Sequence, residues 1–407
     1  MANRIGITGI GVVSAIGNGF NAFSNAAIES ANGISVVSSF DTSICKNRLA
    51  GEIKNFDSCN YIPKKHLRKM DRSTSFICSA AAMAIEDAKL QIDDSNKHRI
   101  GVIIGTTFGN LKSISDFDVQ SLMEESPLWV NPGDFPKTTI NAAASHVSIL
   151  TGAMGYNTTV SGGFVTMLET INHGIELLES GKLDVILAGC VEDLNEQSYL
   201  HYSLQGILSG SNGGDEKCAP FDKSANGYVI AEGAVVLVLQ KTDELQQQDR
   251  PMYGEIKCVH QRYAGCSNKS YYANPMADQY ASIIKALIES ANFSLDEIDV
   301  ISASANGWKE YDTIEAAAFY NIFGENSPAI ISAKSFIGES VSVGGAFSIL
   351  LAIVSIMKQQ VPYILNLKNP IVQLNFVVEK ARTCKVKNVL IPSFDPYGNC
   401  MGMIISV

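Results

Sequence analysis

Few side chains in this sequence are arranged as catalysis or cofactor binding would need. Gly9 and Gly11 stand in GITGIGVVSAIG (6–17), after β-branched residues, where a dinucleotide loop would place them. The third glycine of G-x-G-x-x-G is replaced by Ser14, and no acidic residue about twenty positions on ends a second strand. The segment reads instead as a cluster of turn glycines. No G-x-x-x-x-G-K-S/T loop, H-E-x-x-H pair or EF-hand loop occurs. The six histidines (His66, His98, His146, His173, His201, His260) lack the spacing of metal ligands, so neither a metal nor a nicotinamide cofactor is expected. None lies beyond His260, so the chain after that point has no imidazole for acid–base work. Nine cysteines stand singly without a C-x-x-C pair, an odd number that suits reduced thiols in a cytoplasmic protein better than a secreted disulfide framework. Cys190 ends a β-branched run and reads as a small buried thiol.

Elements able to position such groups alternate along the chain, and their order occurs twice. Strands are expected at 4–13, 100–107, 157–163, 184–190 and 233–240, then again at 254–265, 299–307, 329–336, 388–394 and 401–407. One long helical pattern lies between the third and fourth strand of each set. The first, from Phe164 to about Ser180, carries Phe164, Met167, Leu168, Ile171, Ile175 and Leu178 on one face. The second, from Val343 to about Lys358, is apolar nearly all round, as a helix sandwiched between layers must be. Its apolar core at 346–357 is shorter than the ~20 residues of a membrane helix. Continuously apolar strands need cover on both faces. The expectation is a duplicated, five-layered α-β-α-β-α sandwich with halves at 1–245 and 252–407, joined through the polar stretch 241–251.

Charge narrows the partners. Lys+Arg number 31 against Asp+Glu 41, a net charge of −10, with 46% hydrophobic residues. A compact protein is implied, and an acidic balance without a Lys/Arg-rich run argues against nucleic acid or an anionic membrane as the main partner. The first residues, MANRIGITGIGVVSAIG, lack the apolar core and cleavage pattern of a signal peptide.

Five dispersed segments resemble the β-ketoacyl synthase family of the thiolase fold. TGIGVVSAIGNG (8–19) is similar to its opening strand and loop, and RKMDRSTSFICSAAAMAIEDA (68–88) to its Arg-x-Met-Asp-Arg helix. PFDKSANGYVIAEGAVVLVL (220–239), SAKSFIGES (332–340) and PSFDPYGNC (392–400) follow in the family's order. The resemblance implies the layered thiolase-like fold. It also implies three catalytic positions: a cysteine at a helix N-terminus, and two histidines that assist decarboxylation and stabilise the oxyanion.

All three positions have changed. The cysteine position in NTTVSGGFVTMLETI falls on Phe164, which has neither nucleophile nor proton. The first histidine falls on Ser304 in an ungapped match, or on Asn306 when Gly307 is aligned. The second falls on Glu339, whose carboxylate would repel a malonyl carboxylate. Lys334, which in active relatives supports the catalytic network, is expected to pair with Glu315, Asp312 or Glu339. Condensation by the usual chemistry is therefore excluded for this chain alone.

Within the family, Ser-Gly-Gly-x at 161–164 and GCVEDLNEQSYLHYSLQGILS (189–209) resemble the chain-length factor of type II polyketide synthases, leaning toward the aromatic kind. That resemblance implies a non-condensing subunit in a heterodimer with an active ketosynthase, paired through 157–163. It also implies an acyl carrier protein bearing phosphopantetheine, and a tunnel for the growing poly-β-keto chain. Chain-length gating would come from Asn110, Ser113 and Phe117, on one face of a helix in FGNLKSISDFDVQ (108–120), with Tyr199 as a further candidate. The competing expectation is an acyltransferase of the same fold using an unusual nucleophile such as Ser161.

Overall fold

The computed structural model describes residues 4–242, 251–263 and 277–407, so most of the expected joint at 241–251 lies outside the described residues. The first half contributes β1 (Ile5–Ser14), β2 (Ile100–Gly105), β3 (Asn157–Val160), β4 (Val185–Glu192) and β5 (Gly233–Lys241). The second contributes β6 (Gly254–Tyr263), β7 (Val300–Ser302), β8 (Ala329–Ile331), β9 (Asn388–Phe394) and β10 (Asn399–Ser406). Strand order is β3-β2-β4-β5-β1 in the first half and β8-β7-β9-β10-β6 in the second, the same permutation. The senses repeat too. β2 is parallel to β3 and β4, as β7 is to β8 and β9, while the remaining neighbours are antiparallel. β1 meets β6 antiparallel through Ile5–Ile7 against Gly254–Ile256, which joins the halves into one path.

Three apolar clusters separate the layers. The central one takes α3 (Thr166–Glu179) and α7 (Gly344–Lys358), which lie between the two half-sheets. One outer cluster holds α1 (Arg72–Asp87) against the first half-sheet, and the other holds α5 (Ala277–Ser290) and α6 (Lys309–Phe323) against the second. The two-residue period of a strand does the sorting. Along β4, Ile186, Ala188 and Cys190 join the central cluster while Val185, Leu187 and Val191 join the outer one. Both faces being covered is why these strands read as unbroken apolar runs. The segment Val341–Lys358 is long and apolar enough to cross a bilayer, yet 89% of it is buried, as its all-round apolarity leads one to expect.

Several expected elements end early, each for a local reason. The run at 329–336 is strand only to Ile331, after which Lys334–Ile337 forms a short helix turned by Gly338 at φ +96°. The run at 299–307 is strand only to Ser302, leaving an extended loop with Gly307 at φ +97°. Gly9 and Gly11 are not turn residues. They lie inside β1, where a Cβ on Gly11 would stand 1.8 Å from the Ala80 carbonyl oxygen and one on Gly9 2.4 Å from that of Ala84. The glycines let α1 sit directly on the strand's backbone.

Candidate functional site

β3 ends at Val160, and Ser161–Gly162 lead into a tight turn, Gly163–Val165, that starts α3. Gly163 has φ +62°, a conformation that costs a residue with a Cβ. Thr166 fastens the turn: its hydroxyl accepts from the Gly162 amide at 2.9 Å and donates to the Gly163 carbonyl at 2.7 Å. The residue displayed by this elbow is Phe164. It departs from the face expected for it, because α3 sends Met167, Leu168 and Ile171 into the central cluster while Phe164 turns out of it. Its ring meets Tyr311 edge-on at 5.8 Å, and its carbonyl accepts from Ser393 Oγ at 3.0 Å.

Behind the ring lies a closed polar network. Lys334 Nζ, 5.5 Å from the ring centroid, donates to Glu339 Oε2 at 2.7 Å and to the Ser304 carbonyl at 2.8 Å. Asn306 Nδ2 donates to the same Glu339 oxygen at 2.8 Å, and the Val341 amide donates to Glu339 Oε1 at 2.9 Å. Of the three carboxylates open to Lys334 by sequence, the structure selects Glu339. α7 begins against this pair, where a Cβ on Gly344 would lie 2.8 Å from Glu339 Oε1, and a carboxylate beside a helix N-terminus is favoured. Five expected positions, Phe164, Ser304, Asn306, Lys334 and Glu339, are thus brought together.

Two further carboxyls serve the surrounding backbone. Asp312 accepts from the amides of Phe221, Asn306 and Gly307, and burial pushes it up to about 7 against those bonds. Glu315 accepts from the Ser304 amide at 3.0 Å, and burial pushes it up to about 8. Ser304 Oγ shares a 2.7 Å hydrogen bond with the Tyr311 hydroxyl, which donates to the Phe394 carbonyl at 2.6 Å. Cys190 is sealed inside, within 4.0 Å of Thr170 Oγ1, and burial pushes its thiol up, away from thiolate character. Ser161 is exposed and does not line the cavity beside Phe164.

That cavity, about 290 Å³, is walled chiefly by Phe108, Phe164, Tyr202, Tyr228, Trp308 and Tyr397. Only Phe164 among these was singled out by sequence. The rest come from separate loops and from α4 (Glu196–Gln205), with no spacing that would signal them together. His201 stands at the same cavity, edge-on to Tyr202 at 5.4 Å. Glu192 is also new: its carboxylate accepts from the amides of Thr107 and Phe108, and burial pushes it up to about 7.

The four gate positions lie elsewhere, and none lines this cavity. Asn110 does not share a helical face with Ser113 and Phe117 as expected, because α2 (Leu111–Met123) starts after it. Its buried side chain accepts from Ser73 Oγ and donates to the Lys137 carbonyl. Ser113 and Phe117 line a separate surface pocket of about 280 Å³, with Phe117 edge-on to Phe135 at 6.1 Å. Tyr199 is fully buried against Phe40 and donates to the Leu49 carbonyl at 3.3 Å.

A duplicated thiolase-type sandwich whose first-half elbow faces second-half polar residues defines a ketosynthase-like class of protein. Residues 2–244 match the family model "Beta-ketoacyl synthase, N-terminal domain" and residues 253–368 match "Beta-ketoacyl synthase, C-terminal domain". The chain belongs to the β-ketoacyl synthase family. It is 28% identical over 411 residues to a 3-oxoacyl-(acyl-carrier-protein) synthase 2 of Coxiella burnetii, covering 99% of this chain and 98% of that one. The corresponding Vibrio cholerae protein is 29% identical over 375 residues, 90% of this chain and 89% of its own. Among solved structures, a chain of "The ishigamide ketosynthase/chain length factor" superposes with TM-score 0.91 at 24% identity, covering 100% of both chains.

Proposed function

We propose that this chain is a non-condensing ketosynthase-like subunit that pairs with an active ketosynthase and sets chain length in a type II, aromatic polyketide synthase of the cytoplasm. The observation that carries the reading is the arrangement at the site: Phe164 occupies the elbow, and Lys334, Glu339 and Asn306 close on one another behind it. Among the described residues the elbow displays no nucleophile, and the cation behind it, Lys334, is paired with Glu339. The halves 1–245 and 252–407 then act as a single scaffold.

Three surface features support partners of the expected kinds. β3 lies at an end of the sheet path, leaving one strand edge available to a partner's strand. Leu122, Met123, Leu128 and Trp129 are exposed, from 61% to 90%, an apolar display that suits a subunit interface. Contrary to the expectation of no Lys/Arg-rich run, Lys64, Lys65, Arg68 and Lys69 form an exposed basic cluster that whole-chain charge conceals, and it suits an acidic acyl carrier protein. In this reading Asn110, Ser113, Phe117 and Tyr199 shape the end of the tunnel for the poly-β-keto chain.

Native mass spectrometry of the chain co-expressed with an active ketosynthase of the same fold tests the proposal. A dominant one-to-one heterodimer is expected, together with product lengths that change when this subunit is exchanged. A homodimer that ignores the ketosynthase would overturn it.

A further inference from the structure

The two halves repeat one strand order, yet they treat their end strands differently. β8 ends the path in the second half, and its outer edge is covered. The Ile330 amide donates to the Asn375 carbonyl at 3.0 Å, and the Val377 amide donates to the Ile330 carbonyl at 3.1 Å. β3 ends the path in the first half, and among the described residues no strand or bridge reaches its outer edge. An open row of backbone donors and acceptors is a template for another strand.

What lies beside that edge restricts the strand it can accept. An open trough of about 360 Å³ runs along it, walled by Thr158 and Val160 of β3 and by Glu169, Asn172, His173 and Glu176 of α3. The four α3 residues are spaced i, i+3, i+4 and i+7, so they share one face. No lysine or arginine lines the trough. Glu169 is half-buried and accepts from Gln261 Nε2 at 3.1 Å, and burial and the charge of Asp395 both raise it. Glu176 is exposed, accepting from Asn172 Nδ2 at 3.2 Å and standing 3.8 Å from His173 Nδ1.

Symmetry turns this stripe into a selection rule. Two copies pairing antiparallel through β3 are related by a twofold axis perpendicular to the sheet, which keeps each sheet face on its own side. Both α3 helices then lie on one face of the joined sheet, side by side across the axis. Glu169 and Glu176 of one copy would meet the same two residues of the other, bringing four carboxylates together without a lysine or arginine. Like charges placed against each other oppose association. Resting on the reading that the chain pairs through β3, we infer that Glu169 and Glu176 exclude a second copy of this chain. They select instead a partner of the same fold that presents lysine or arginine along its corresponding helix. The exposed Leu122, Met123, Leu128 and Trp129 favour pairing with any chain of the fold, so the discrimination falls to charge.

Sedimentation velocity on the full chain alone reads self-pairing without any ketosynthase. Glu169→Gln combined with Glu176→Gln removes the charge at nearly constant volume, and a glutamine at position 169 still accepts from Gln261. That variant is expected to self-associate on the order of tenfold more tightly than the wild type. A second variant, Glu169→Gln with Asn172→Lys and Glu176→Lys, serves as a cationic partner of the same fold. Mixed in equal amounts with isotope-labelled wild type, it should form mixed dimers in clear excess of random pairing by native mass spectrometry. Equal self-affinity of the wild type and the glutamine variant would overturn the inference, as would mixed dimers no commoner than chance. A chain that passes both tests yet ignores a co-expressed ketosynthase would leave the charge rule standing and refute the chain-length reading instead.

Discussion

Lys334 Nζ stands 2.7 Å from Glu339 Oε2, and the two residues are 2% and 0% exposed. The pair sits behind the Phe164 elbow, where Lys334 also donates to the Ser304 carbonyl and Glu339 also accepts from Asn306 Nδ2 and the Val341 amide. A buried ion pair is tolerated on that condition, and breaking it strands a charge.

Lys334→Met or Glu339→Gln alone should therefore cost about 3–5 kcal/mol of unfolding free energy. The double variant should lose much less than the sum, because it removes both charges and leaves a neutral site of similar volume. Urea titrations of the four proteins measure the coupling. Additive losses would show that the two charges do not sustain each other.

Placing a nucleophile at the elbow should not confer condensation. In Phe164→Cys the new thiol would stand on the same elbow, but the groups behind it remain Lys334, Glu339 and Asn306. None is an imidazole, and Glu339 is committed to two donors on one oxygen and the Val341 amide on the other. Incubation of that variant with acyl and malonyl carriers should give no β-ketoacyl product by mass spectrometry. Detectable product would mean that the network rearranges to serve catalysis.

Much of this was legible in the sequence, and the parts that were not share a cause. The duplicated strand order could be read because most of the strands, such as β2, β4 and β5, are buried on both faces, and covered faces leave an unbroken signature. Phe164, Ser304, Asn306, Lys334 and Glu339 could be placed because short local segments carry them. Which carboxylate Lys334 takes was not legible, since sequence separation does not decide among Glu339, Asp312 and Glu315, and the last two turn instead to backbone amides. The aromatic cavity was invisible because Phe108, Tyr202, Trp308 and Tyr397 come from separate segments brought together only by the fold. Gly9 and Gly11 misled for a related reason: close approach of α1 and a turn ask for the same residue.

The close approach can be tested directly. A Cβ at position 11 would lie 1.8 Å from the Ala80 carbonyl oxygen, a contact no side-chain rotation relieves. Gly11→Ala must push β1 off α1 and should destabilise by about 1–3 kcal/mol or prevent soluble expression. An unchanged thermal midpoint would show that the strand and helix have slack between them.

If the subunit limits chain length through α2, Phe117 is the side chain to shorten. It is half-buried and leans edge-on against Phe135, so truncation removes bulk without opening the main core. Phe117→Ala in the co-expressed complex should lengthen products by one or more two-carbon units, with the heterodimer intact. Identical products from an intact heterodimer would remove Phe117 from the gate.

Stability should fall as pH rises from about 5 to about 8. Burial raises Glu192, Asp193 and Asp312 to about 7 and Glu315 to about 8. Between its ordinary value and its raised one, each such carboxyl is protonated when folded and ionised when unfolded. The folded state then holds more protons, so raising the pH favours unfolding across that window, and below it the penalty vanishes. Asp222 works in the opposite sense. Its backbone and serine hydrogen bonds outweigh burial and hold it at about 2, so its contribution is present above the ordinary carboxylate range and is lost only in strong acid. The thermal midpoint should accordingly be highest near pH 5 and decline toward pH 8. Glu315→Gln, which keeps an acceptor for the Ser304 amide but cannot ionise, should flatten the decline at its alkaline end. A midpoint that rises between pH 5 and pH 8, or a slope untouched by Glu315→Gln, would show that these carboxyls are ionised in the fold.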